Sequence, residues 1–101
     1  MPLTKEIILE ILNQNLSHFR AQYSVKNIGL FGSWVTGQAT PESDIDLMIE
    51  FEQPIGFQFM ELCEELEKIL GKKIDVLTPA GLTNIRINSV KQQIKQQIIY
   101  L

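Results

Sequence analysis

Aspartate is scarce in this chain: it occurs only at positions 44, 46 and 75, against nine glutamates. Acidic residues serving only to solvate a surface would include aspartate in helices and loops, where this chain uses glutamate alone. An aspartate side chain is short and holds its carboxylate close to the backbone, as a metal site requires. Asp44 and Asp46, two apart, point to one face of a strand with backbones roughly 6.6 Å apart. Asp75 falls near the start of a later strand, and the strand–helix–strand unit between them is long enough for a parallel crossover. Neighbouring strands would then bring three carboxylates to one patch. Such groups repel and raise one another's pKa values. A pair of Mg²⁺ ions about 3.5–4 Å apart would relieve that repulsion and clamp a phosphate. Glu50 lies on the same face but about 13 Å beyond Asp46, too far to join them.

Ten residues separate Asp44 from the pair Gly32-Ser33. Glycine there lets the backbone approach a phosphate closely, and the N–H groups that follow, with the Ser33 hydroxyl, can donate to it. The physics is that of a P-loop, although no G-x-x-x-x-G-K-[ST] match exists. Either pair alone is a weak signal; their fixed spacing and a third strand-borne aspartate make a specific one.

Periodicity supplies the elements that position these residues. Leu3, Ile7, Ile8, Ile11, Leu12, Leu16 and Phe19 predict an amphipathic helix over 3–21, capped by Thr4. Residues 25–31 read as a buried strand ending at Gly32, and 32–43 as a loop with room for one helical turn after Ser33. Residues 44–51 alternate, with Ile45, Leu47, Ile49 and Phe51 on one face and Asp44, Asp46, Met48 and Glu50 on the other. A helix over 57–70 ends at Gly71, a strand covers 73–78 before Pro79, and 82–101 is expected as a helix. Its apolar seam is Leu82, Ile85, Val90, Ile94 and Ile98, read equally as internal packing or as a seam for a partner or a second copy. The order is αβ(α)βαβα, an α/β domain with a small sheet over residues 1–101.

Composition narrows the setting. With 101 residues and 45% hydrophobic content, the chain suits one compact core. A net charge of −3 offers no general attraction for nucleic acid, so direct DNA binding is not expected. Lys5, Glu6 and Glu10 interrupt the first apolar stretch, so neither a signal sequence nor a membrane span is expected. Cys63 is the only cysteine and cannot close an internal disulfide, which fits a reducing cytoplasm. It is expected in the core, His18 on a helix surface, and Trp34 either in packing or against a nucleotide or partner.

The run Gly32-Ser33-Trp34-Val35-Thr36-Gly37, continuing to Ser43-Asp44-Ile45-Asp46-Leu47, resembles the signature of the minimal nucleotidyltransferases of the DNA polymerase β-like superfamily. Residues 59–78, through Gly71-Lys72-Lys73-Ile74-Asp75-Val76, look like that family's helix and third-carboxylate strand. The resemblance implies a palm-like nucleotidyltransferase fold, a small mixed sheet flanked by helices. It also implies two-metal transfer of a nucleotide from a nucleoside triphosphate to a hydroxyl. Gly32 and Ser33 would hold the triphosphate, Asp44 and Asp46 would bind two Mg²⁺ ions, and Asp75 would bind the catalytic one and help activate the acceptor.

Thr36 stands where many relatives carry an arginine, which removes a cation from the triphosphate; Lys72, Lys73 or Arg86 are candidates to replace it. The chain also lacks the helical domain with which larger relatives bind their acceptor. Minimal members resemble the antitoxin half of HEPN/MNT toxin–antitoxin pairs. The implied function is transfer of AMP from ATP to a hydroxyl, that of a tyrosine, on a HEPN ribonuclease toxin. Two alternatives are an antitoxin that neutralises by binding alone and a small-molecule nucleotidyltransferase subunit. A homodimer or a hetero-oligomer fits either.

Overall fold

The structure, a computed structural model, describes residues 3–101, so the first two residues of the expected domain lie outside the described residues. In chain order the elements are α1 (Lys5–Tyr23), β1 (Val25–Phe31), α2 (Ser33–Thr36), β2 (Ile45–Phe51) and α3 (Gln58–Leu70). They continue with β3 (Ile74–Leu77), α4 (Pro79–Thr83), α5 (Asn88–Gln97) and β4 (Ile99–Tyr100). The sheet is mixed, in the order β3-β2-β1-β4. β1 pairs antiparallel with β2 and β4, and β2 pairs parallel with β3.

Local signals set the boundaries. The Thr4 hydroxyl accepts a hydrogen bond from the Ile7 N–H at 3.2 Å and starts α1. Gly71 ends α3 at φ 71°, a left-handed turn that returns the chain toward β3. One face of the sheet carries Ile28, Leu30, Ile45, Leu47 and Ile49 into the main core, against Ile8, Leu12 and Phe19 of α1 and Leu62, Leu66 and Leu70 of α3. Each such side chain, fully buried, contributes roughly 1.5–3 kcal/mol. Strand alternation alone would send Val25 to the opposite face from Ile28. A bulge between Val25 and Asn27 returns it to the core.

The other face is less polar than the alternation of β2 suggests. Met48 is buried there with Phe31 and Leu82, under Leu77, Ile85, Ile94 and Ile98. Four of the five seam residues therefore pack internally, and only Val90 remains exposed.

The C-terminal region departs from the single helix expected over 82–101. Pro79 opens α4 early, with the Thr78 hydroxyl accepting from the Gly81 N–H at 3.1 Å. After α5 the chain becomes a strand, Tyr100 facing Gly29 and Ile99 facing Leu30. The unpaired edge of β1 offers these residues backbone partners that a continued helix would leave unused, and β-branched Ile99 suits a strand. Gly29 makes the room: a Cβ there would stand 2.6 Å from Ile98 Cγ2.

Candidate active site

β2 and β3 begin side by side. The Ile45 N–H donates to the Lys73 carbonyl at 2.9 Å, and the Glu67 side chain of α3 accepts from the Ile74 N–H at 3.2 Å. These bonds set a register in which Asp46 lies directly opposite Asp75 and, on its other side, opposite Phe31. In-register neighbours share a face, so Asp46 and Asp75 project from the same side as Phe31 and Met48. Asp44 sits one residue before β2 and is exposed, as is Asp75; Asp46 between them is half-buried.

Burial pushes the Asp46 carboxyl above its ordinary value, and the charges of Asp75 and then Asp44 push it further the same way. The charges of Asp75 and Asp44 thus both reach the Asp46 carboxyl. Glu50 is turned to Asn27, whose amide donates to it at 3.3 Å.

Gly32 closes the other wall. It sits at φ 78° and ψ −153°, a conformation essentially confined to glycine. Any Cβ there would collide with the Asp46 Oδ2 atom. The turn of α2 follows, with the Val35 and Thr36 N–H groups returning to the Gly32 carbonyl at 3.0 and 3.1 Å. The N–H groups of Ser33 and Trp34 begin this turn and have no helical carbonyl behind them, so they are free to meet an anion. Thr36 turns its hydroxyl back to the Ser33 carbonyl at 3.5 Å and brings no charge to the loop.

The loop after α2 holds contacts that sequence spacing did not reveal. The Lys72 ammonium donates to the Pro41 carbonyl at 2.6 Å and lies 5.7 Å from the centre of the Trp34 ring. Trp34 donates its indole N–H to the Ser43 carbonyl at 3.4 Å while part of its ring packs on the main core. Arg86 is exposed on the link between α4 and α5. Cys63 is half-buried rather than in the core, and His18 is on the helix surface against Glu65, as expected for a helix-surface residue.

The donor set is wholly carboxylate oxygen with excess negative charge, which fits a hard divalent cation such as Mg²⁺. Among the described residues no three acidic, histidine or cysteine side chains are grouped so that they could hold a metal ion by themselves. Mg²⁺ is ordinarily held by one or two carboxylates together with substrate phosphates and water, so an open site of this kind suits it.

Comparison with known proteins follows this geometry. The family described as nucleotidyltransferase domain matches residues 6–101. A Methanocaldococcus jannaschii protein classed with the protein adenylyltransferases is 42% identical over 97 residues, covering 93% of this chain and 94% of its own. The protein adenylyltransferase MntA of Thermococcus cleftensis is 33% identical over 100 residues, covering 98% and 97%. A solved structure described as a minimal nucleotidyltransferase superposes with a TM-score of 0.72 at 23% identity, over 96% of this chain and 95% of that one. A Shewanella oneidensis complex of an AMPylated HEPN toxin with its MNT antitoxin gives 0.59 at 19% identity, over 92% and 70%. At those identities the two structures speak for the fold.

Proposed function

The chain belongs to the nucleotidyltransferase domain family, and from that premise we propose that it is an antitoxin enzyme moving AMP from ATP to a tyrosine hydroxyl on a HEPN-type ribonuclease partner. The carrying observation is the register that sets Asp46 opposite Asp75, with Gly32 closed against the Asp46 carboxylate. The nature of the acceptor is supported by the protein adenylyltransferases to which the chain is similar, and the partner by the HEPN–MNT complex that shares its fold.

In this reading Gly32 and the N–H groups of Ser33 and Trp34 hold the triphosphate, and the Ser33 hydroxyl adds a donor. Asp44, Asp46 and Asp75 would hold two Mg²⁺ ions, which when bound supply charge neutralisation at the reacting phosphate. The acceptor oxygen bonds to the α-phosphorus as the bond to the pyrophosphate oxygen breaks. Pyrophosphate leaves, and Asp75, the more exposed in-register carboxylate, would receive the hydroxyl proton. No described helix is long and apolar enough to cross a membrane, which is compatible with the cytoplasmic setting in which such a partner would be met.

The test uses α-labelled ATP, Mg²⁺ and a HEPN-type protein as acceptor. Label should pass to the partner only with Mg²⁺ and should fall by at least about a hundredfold in Asp46→Asn. Absence of label, or equal label in the variant, overturns the proposal. The uncharged Thr36 side chain, folded back on Ser33, favours a second reading in which contact alone neutralises the partner. Neutralisation that persists in Asp46→Asn without label would identify that mechanism.

A further inference from the structure

We infer that Lys72 is a positioning residue, latching the loop that delivers Asp44 to the turn that delivers Asp75. The inference rests on reading the three aspartates as the metal-binding set. Three segments must keep their spacing for that set to work: the α2 turn, the loop over residues 37–44 and the α3–β3 turn over 71–73. The Gly37 and Gln38 N–H groups tie the start of the loop to the Ser33 carbonyl, and the Ile45 N–H ties its end to the Lys73 carbonyl, which leaves residues 39–43 between these anchors. The loop has a local turn of its own, Ser43 Oγ accepting from the Thr40 N–H at 2.9 Å. That bond shapes the loop without attaching it to anything else.

Lys72 and Trp34 make the attachment. The Lys72 ammonium donates to the Pro41 carbonyl at 2.6 Å across 31 residues of sequence. The same ammonium lies 5.7 Å from the Trp34 ring centre, within cation–π range. Trp34 in turn donates to the Ser43 carbonyl at 3.4 Å, one residue before Asp44. One side chain from the β3 side and one from the α2 turn therefore grip the loop at Pro41 and Ser43. A cleft of about 420 Å³ opens beside the grip, with Asp44, Lys72 and Lys73 in its wall. With its ammonium engaged by a carbonyl and an aromatic face, Lys72 acts on the loop in this inference rather than as the triphosphate cation.

The experiment compares Lys72→Met, which keeps the aliphatic stem, with Lys72→Arg, which restores donors and stacks on an aromatic ring. Lys72→Met should lower kcat roughly tenfold and leave the KM for ATP within about twofold, since small displacements of reacting groups cost rate steeply. Lys72→Arg should recover most of that rate. Two readouts need no turnover. Trp34 is the sole tryptophan, so its emission should shift in Lys72→Met, and Mn²⁺ binding followed by electron paramagnetic resonance should weaken several-fold.

A raised KM for ATP with unchanged kcat would make Lys72 a phosphate ligand and overturn the inference. Unchanged kcat together with unchanged Mn²⁺ binding would overturn it as well. If the wild-type protein transfers no AMP, the proposed function fails and Mn²⁺ binding alone decides the latch: weaker binding in Lys72→Met supports it, and equal or absent binding in both proteins refutes it. Should Lys72→Met fail to fold, Trp34→Phe, which deletes the indole donor and the emission probe but keeps an aromatic face, is read by kcat, KM and Mn²⁺ binding, with lowered kcat and weaker Mn²⁺ binding supporting the latch and both unchanged refuting it.

Discussion

Asp46 is the carboxylate that the fold treats least kindly. Its raised pKa has burial as the largest cause and the charges of Asp75 and Asp44 as the next. A carboxyl whose folded pKa lies above its unfolded value favours the folded state at low pH. That contribution is lost as pH rises through the folded pKa, so at neutral pH the ionised group opposes folding. Asp46→Asn should therefore raise the metal-free melting temperature by about 1–3 °C while abolishing transfer, the trade expected at a functional site. Differential scanning fluorimetry without Mg²⁺ checks the first half, and an unchanged or lower melting temperature would contradict the charge argument. Gly32→Ala behaves oppositely. The backbone there is at φ 78° and the added methyl meets the Asp46 carboxylate. The variant should lose about 1–3 kcal/mol in urea unfolding and most of its activity. The residues at this site were legible because glycine and aspartate are used here for properties no other side chain supplies. Lys72 was weighed only as a phosphate cation, since no spacing rule connects it with Pro41, 31 residues away.

Between elements, α1 and α3 are joined at their outer edge by one acidic side chain. Glu65 accepts from the Tyr23 hydroxyl and meets His18 Nε2, each at 2.6 Å. The bond to Glu65 and the burial of the ring push the Tyr23 phenol up to about 12. The bond from Tyr23 is the largest cause holding the Glu65 carboxyl below its usual range. The signs give two limits. The Tyr23 contribution is fully present below the unfolded phenol value near 10 and is lost as pH rises through about 12. The Glu65 contribution is present above its unfolded value and is lost as pH falls through its lowered one. Tyr23→Phe should cost about 1 kcal/mol at pH 7. It should also flatten the decline in urea midpoint between pH 10 and 12; a decline as steep as that of wild type would remove Tyr23 from the account. At the other end of the chain, Gly29→Val should displace β4 by striking Ile98 and Tyr100, at a cost of about 1–3 kcal/mol. Loss of amide protection at Leu101, whose N–H bonds to Ile28 at 3.0 Å, would report that displacement. Helices α1 and α3 and strands β1 to β3 were readable because their apolar periods and caps are local. The split of the C-terminal region was not, because α5 yields to β4 only where the edge of β1 is there to pair with it.

Across the described residues, one sheet serves two apolar clusters, the larger under α1 and α3 and the smaller under α4 and α5. Since Leu47 and Met48, adjacent on β2, enter opposite clusters, the two should melt together. Circular dichroism and Trp34 emission are expected to give coincident unfolding curves; separate midpoints would show that the smaller cluster opens independently. Charge is also unevenly spread: Arg86, Lys91 and Lys95 follow Asp75, and no acidic residue does. The amino-acid sequence by itself determined the residue types, the Gly-Ser to Asp-x-Asp spacing and the main helices and strands. Each of these rests on side-chain chemistry or on hydrogen bonds that close within a few residues. Only the tertiary structure decided that Asp75 faces Asp46, that Asp46 is the most buried of the three, that Met48 is buried, and that the tail returns as a strand. Those facts depend on which distant backbones pair and in what register, and a pairing energy has no value until both partners are in place.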